Sequence, residues 1–307
     1  MASFIPDDID FSAYADLTEH DQRVISSGEY ADDVVGYFWD DSKPRGEALP
    51  WDRTDGKLLF RPGEVTLWAG YNGHGKSLAL GQFAVGLVAQ ASTCCVASLE
   101  MKPVVTLARM CRQAFGTSKP DPDSIRMFHQ LTDRRIWMYD QQGTVSADKM
   151  IGVMRYAATV KQCAHFVLDS LTKCGLGEDD YTAQKIFVDR ICTVARDTGL
   201  HVHLVAHSRK GKDENSPPGK MDVKGSGAIT DQVDNVLTWW RNKAKEDAIR
   251  KGGDFSELDP DAVLICDKQR NGDWEGRVGF WFDPASMQFV ETSSRAPMNM
   301  LQPRFQP

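Results

Sequence analysis

Residues 63–77 read GEVTLWAGYNGHGKS: a short apolar run, 65–69, breaks into a glycine-rich turn that closes on Lys76 and Ser77. The last eight residues, 70–77, carry the spacing GxxxxGK[ST], and the residue types have physical reasons. Gly70, Gly73 and Gly75 let the backbone curl so that its N–H groups point inward at anionic oxygens, in a space no side chain can share. Together with Tyr71, Asn72 and His74 they make a cradle for phosphate. Lys76 is placed to reach the β and γ phosphates, Ser77 to set its hydroxyl on Mg²⁺, and the following helix turns its positive end toward the anion. A glycine-rich turn can match this pattern by chance. Here the apolar run before it and the helical pattern after it supply the strand and helix that the motif requires. The expected ligands are ATP, or another nucleoside triphosphate, and Mg²⁺.

At 307 residues and 41% apolar composition the chain has room for one large domain or two small ones. Its longest apolar-leaning stretch, 78–95, contains Gln82, Gln90, Ser92 and Thr93, so no membrane span is expected. The opening MASFIPDDID lacks a basic segment followed by an apolar core, and no secretion signal is expected. Seven cysteines, without a CxxC pair, read as reduced thiols of an intracellular protein and not as a disulfide framework or zinc knuckle. Net charge is −7, but residues 1–50 hold twelve Asp and Glu against three Lys and Arg, a balance of −9 that leaves +2 for the rest. A nearly neutral body with local basic loops can bind a phosphate backbone, so overall acidity does not exclude nucleic acid.

The acidic first 50 residues carry two short helical signals, 18–26 and 30–39, the first opened by a Thr18-x-x-Asp21 capping pattern. Val34, Val35, Phe38 and Trp39 need burial, on the body of this chain or on a neighbouring copy. Residues 42–55, with Pro44 and Pro50, read as a linker. Strands are then predicted at 64–69, 93–99, 135–140, 165–169, 201–206, 235–240, 262–267 and 278–282, and helices at 76–91, 103–115, 147–161 and 182–198. The alternation predicts an α/β fold: a mostly parallel central sheet flanked by helices, the last strands antiparallel, after a short helical N-terminal extension. The divisions are an extension and linker at 1–50, a body at 51–292 and a flexible tail at 293–307.

In such a sheet ligands sit at the carboxyl ends of strands. HFVLDS sets Asp169 after a buried strand, the position of the acid that holds Mg²⁺, although an aspartate can also simply end a strand. CCVASLEM ends in Glu100, a carboxylate read as one strand over from the phosphate loop and able to polarise the water that attacks the γ phosphate. His207, after HVHLVA, is placed to sense the γ phosphate, while His201 and His203 read as strand residues. AVLICDKQRNG brings Lys268 and Arg270 together. Either they pair with Asp267 or Asp273 at the surface, or they project onto the γ phosphate of a neighbouring subunit.

Taken in order, GYNGHGKS, SLEM, FVLDS, the histidine strand, VKGSGAITDQVDNV and KQRNG resemble the motif series of the DnaB-like hexameric replicative helicases, over roughly residues 51–284. The match is to the helicase half of bacteriophage primase-helicases, with no primase attached. The resemblance implies a RecA-like P-loop NTPase core, a ring of six, and ATP bound between subunits. It also implies Glu100 as catalytic base, Asp169 as the Mg²⁺ acid, His207 as γ-phosphate sensor, and Lys268 with Arg270 reaching the next subunit. Its implied partners are single-stranded DNA, forked duplex, and a primase or loader, with no membrane. Its implied setting is the bacterial cytoplasm, phage-encoded.

The loop after His207 holds Arg209, Lys210, Lys212, Lys220 and Lys224 among prolines and glycines. A solvated charged loop is the plain reading; family members use this loop on single-stranded DNA, which makes these five the expected DNA contacts, through phosphate. The loop 172–180, with Lys173 beside three acids, is a second candidate. The resulting expectation is a DNA-stimulated ATPase that unwinds DNA. The rival is a RecA-type recombinase or ATP-gated single-stranded-DNA scaffold, which shares the core and similar strand ends.

Overall fold

The computed structural model describes residues 4–5, 10, 12, 26–40, 45–177, 180–208, 214–218 and 227–301. Before the phosphate loop come β1 (Phe4–Ile5), α1 (Ala31–Trp39), β2 (Glu47–Ala48), β3 (Leu59–Phe60) and β4 (Val65–Ala69). Then α2 (Lys76–Ala89) leads to β5 (Cys94–Ser98), α3 (Pro103–Phe115), α4 (Pro122–Thr132), β6 (Ile136–Tyr139), α5 (Ala147–Thr159), β7 (His165–Asp169), α6 (Tyr181–Thr198) and β8 (His201–Val205). The chain closes with α7 (Gly227–Gln232), β9 (Asn235–Arg241), α8 (Lys243–Lys251), β10 (Ala262–Gln269), β11 (Gly276–Asp283) and β12 (Gln288–Val290).

The ten-stranded sheet has the order β1-β6-β5-β7-β8-β4-β9-β10-β11-β12. Pairing is parallel from β1 through β9, and β10, β11 and β12 add antiparallel. β4, β5 and β8 are buried along their whole length, which is why they read as unbroken apolar runs and not as alternating ones. One apolar cluster joins the sheet to α5 and α6 through residues such as Met150, Val153, Phe187 and Ile191. The other joins it to α2, α3 and α4 through Phe83, Met110 and Phe128, and runs on to Trp51, Trp239 and Phe280. The α/β architecture with helices on both faces is as expected.

Several local features differ from the sequence reading. α4 and α8 are additional to the expected helices; Asp121 caps the first through the N–H groups of Asp123 and Ser124, and Asn242 caps the second. The segment read as a linker is part of the body from residue 47 on. β2 pairs with β3, and Trp51 is 0% exposed, its indole N–H donating to the Phe289 carbonyl at 2.7 Å. A linker has no reason to carry Leu49 and Trp51, and the core takes both. The described part of the tail, 293–301, also lies on the body: Met300 is buried, and Met298 N–H donates to Gln288 Oε1 at 2.7 Å. The helix expected at 18–26 falls outside the described residues except Ser26. α1 buries none of its residues on this chain, and Trp39 is 81% exposed.

Candidate active site

The turn between β4 and α2 is shaped by close approach. Gly70 has φ +147° in this structure, and a Cβ there would come within 2.2 Å of the Trp239 carbonyl oxygen on β9. Gly75, at φ +93°, precedes the first turn of α2, where any side chain would strain the backbone. Lys76 is 4% exposed and folds back over the loop: its ammonium donates to the carbonyls of Gly70 at 2.8 Å and Tyr71 at 2.9 Å, and lies 3.4 Å from His207 Nδ1. Burial pushes this ammonium down to about 8, against the opposing pull of Asp169 and Glu100.

Beside it the Ser77 hydroxyl donates to Asp169 Oδ2 at 2.5 Å. Burial raises the Asp169 carboxyl above its ordinary value, with the Ser77 hydrogen bond and Lys76 pulling the other way. A hydroxyl and a carboxylate meeting beside a cradle lined by backbone N–H groups form a hard-oxygen donor set, which suits Mg²⁺. Glu100 follows β5, and its side chain is 47% exposed, with Lys173 Nζ 3.9 Å away. Its strand is not adjacent to the phosphate loop: β7 and β8 stand between β5 and β4. The carboxylate is brought to the site through β7, since Ser98 faces Asp169 in register and the Leu99 N–H donates to the Asp169 carbonyl at 2.9 Å.

Lys268 and Arg270 lie elsewhere. β10 runs antiparallel, so Gln269 pairs with Asn235 at the start of β9, whereas the phosphate loop meets β9 at its far end. Lys268 turns into its own chain and donates to the carbonyls of Thr230, Asp231 and Val233, at and just beyond the end of α7. Arg270 pairs with Asp234 Oδ1 at 3.0 Å, not with Asp267 or Asp273; Asp267 instead accepts from Thr238 Oγ1 at 2.7 Å. Neither cation serves the phosphate loop of its own chain. Arg209, Lys210, Lys212, Lys220 and Lys224, the expected DNA contacts, lie outside the described residues.

The sequence reading takes His74 only as a member of the loop. It is 0% exposed, and its Nδ1 accepts the backbone N–H of Arg241 at 3.0 Å, tying the loop to the end of β9. Burial, then the charge of Lys243, push its imidazole down to about 4. Glu214, which no motif singles out, lies 3.5 Å from His74 Nε2.

A family profile described as an AAA domain matches residues 38–213, more than half of the chain. The chain belongs to the AAA domain family. The solved structure of the ATPase domain of a phage helicase matches this AAA domain with a TM-score of 0.72 at 16% identity, covering 87% of this chain and 100% of that one. A second, described as a DnaB-like replicative helicase and its interactions with primase, matches with a TM-score of 0.69 at 15% identity, over 85% of this chain and 67% of the other. The AAA domain thus has the RecA-like fold of DnaB-like proteins, with a phosphate loop of P-loop NTPase type at the carboxyl ends of its parallel strands. Among the described residues, no helix is long and apolar enough to cross a membrane.

Proposed function

We propose that this AAA domain is the motor of a replicative DNA helicase. It hydrolyses ATP, or another nucleoside triphosphate, at boundaries between identical subunits of a ring, a hexamer, and so travels on single-stranded DNA and opens forked duplex. The observation that carries the reading is the meeting of Lys76, Ser77, Asp169 and His207 at the ends of β4, β7 and β8 in a DnaB-like sheet, while Arg270 stands at the opposite end.

Lys76 leaves its own loop carbonyls to hold the β and γ phosphates. Mg²⁺, held by Ser77 and Asp169, would neutralise charge on the phosphate oxygens. Glu100 accepts a proton from the attacking water, and His207 donates to the γ phosphate. Arg270 gives up Asp234 to stabilise charge on the phosphates of the next subunit, which requires assembly for hydrolysis; Lys268 supports it. Arg209, Lys210, Lys212, Lys220 and Lys224 hold the DNA backbone through phosphate.

The extension at 1–50 exchanges between subunits and the domain at 51–292 is the motor. α1 presents Val34, Val35, Tyr37, Phe38 and Trp39 to solvent beside Asp32, Asp33 and Asp40. A cavity of about 860 Å³ by α3 and α4, lined by Val104, Leu107 and Ile125 together with Lys102 and Lys119, matches that helix in apolar character and opposes its charge. A primase or loader is a further partner, and the setting is a bacterial cytoplasm with a phage-encoded chain.

The test is a mixing experiment. Arg270→Ala and Lys76→Ala chains, each inactive alone, recover DNA-stimulated ATP hydrolysis when co-assembled, because one boundary in the mixture keeps both groups. No recovery in verified mixed assemblies contradicts the shared site.

A further inference from the structure

The GxxxxGK[ST] pattern asks for no imidazole at its fifth position, yet His74 stands there and is fully buried. Because Nδ1 accepts from Arg241, the neutral ring carries its proton on Nε2, and that N–H faces the Glu214 carboxylate at 3.5 Å. Glu214 is held from two other directions. Lys243 Nζ donates to its Oε2 at 3.0 Å, and the Trp240 indole N–H donates to its backbone carbonyl at 3.0 Å. The carboxylate is therefore anchored on β9 and α8 and aimed at the phosphate loop.

A second tie lies six residues earlier in the chain. The Ser208 N–H donates to the Gly70 carbonyl at 3.0 Å, and the Lys76 ammonium donates to that same carbonyl at 2.8 Å. Ser208 and Glu214 are thus both fastened to the phosphate loop, one at its first residue and one at its fifth. A triphosphate that draws Lys76 away leaves the Gly70 carbonyl with Ser208 alone, and a backbone that closes on phosphate moves His74 against Glu214.

We infer that His74 and Glu214 are positioning residues that couple nucleotide occupancy of the phosphate loop to the hold on the segment following β8. The inference rests on the reading of residues 70–77 as a nucleotide site, and it adds a communication route between that site and the basic segment. The coupling is reciprocal: whatever binds the segment changes nucleotide affinity by the same factor.

Hydrogen exchange of the full chain tests it, read on peptides covering residues 214–218 with and without the non-hydrolysable analogue AMP-PNP and Mg²⁺, its affinity measured alongside. In the wild type the analogue changes exchange there by ~10-fold, the scale of a typical coupling. Glu214→Ala, with a melting temperature equal to wild type, binds the analogue but shows no such change. His74→Gln keeps an acceptor for Arg241 and a donor for Glu214, and retains the change; His74→Leu loses it. Binding of the analogue with unchanged exchange in the wild type, or an equal change in Glu214→Ala, overturns the coupling while the nucleotide site stands. No binding of the analogue by the wild type overturns both.

Discussion

The Ser77 hydroxyl donates to the Asp169 carboxylate at 2.5 Å, joining the first turn of α2 to the end of β7. The two oxygens come from strands separated by β8, so their meeting is a property of the folded sheet. If they share Mg²⁺, Asp169→Asn loses the ability of magnesium to raise nucleotide affinity, and hydrolysis falls by roughly 10²-fold or more. Titration calorimetry with and without Mg²⁺ reads the first, and a phosphate-release assay the second.

Lys76 gives a pH dependence with a definite sign. Burial lowers its ammonium to about 8 in the free protein, and bound phosphate charge raises it again. Below that value the group is already charged and affinity is flat. Above it, binding must take up a proton, so affinity falls by up to about tenfold per pH unit. Binding of a fluorescent ATP analogue between pH 6.5 and 9.5 checks this. Lys76→Arg, which stays charged throughout, removes the slope; an affinity that rises above pH 8 contradicts the assignment.

Three buried histidines predict acid sensitivity. His201 donates from Nδ1 to the Arg61 carbonyl and accepts from Thr66; His203 accepts from the Trp68 indole at 3.2 Å and donates to His165 at 3.1 Å. These partners fix both rings as neutral, and burial lowers both well below the ordinary histidine value, as it lowers His74 to about 4. Their folded affinity for protons is lower than the unfolded one, so their contribution is intact above about pH 6.5 and is lost as pH falls toward 4. Each costs up to ~1.4 kcal/mol per pH unit across that window. Urea midpoints at pH 7.5, 6 and 5 should fall in order, and His203→Gln should flatten the trend.

Trp51 marks where the body begins in physical terms. Its ring lies 4.7 Å from Phe280 and 5.9 Å from Trp239, centroid to centroid, with its N–H satisfied by Phe289. Trp51→Ala is expected to cost about 3–5 kcal/mol of unfolding free energy, measured by chemical denaturation. A loss under about 1 kcal/mol would return the segment to the status of a linker.

How far the sequence can be read depends on the range of each contact. The phosphate loop is local: eight consecutive residues and the flanking periodicity specify it, and Asp169 is found because an acid ends an unbroken apolar run. Strand order is not local, which is why sequence alone sets Glu100 one strand from the loop when β7 and β8 intervene. The antiparallel turn of β10 puts Lys268 against the α7 carbonyls, a destination decided by sheet register and absent from KQRNG itself. Trp51 sits beside Pro50 in a stretch whose prolines suggest a linker, and its partners lie more than 180 residues away. The role of His74 is hidden for the same reason, since Arg241 and Glu214 come to it only through β9 and the segment before α7. α4 and α8 are legible in principle: Asp121 before Pro122, and Asn242 with Gly252, are ordinary helix start and stop signals.

Strand displacement on a forked duplex tests the central claim most directly, with the full chain, Mg²⁺ and a labelled strand. The account predicts that ATP releases the strand, that AMP-PNP does not, and that Lys76→Ala and Glu100→Gln chains fail to release it. ATP hydrolysis stimulated by single-stranded DNA with no displacement, or pairing of homologous strands in its place, would contradict a helicase and point to a recombinase built on the same core.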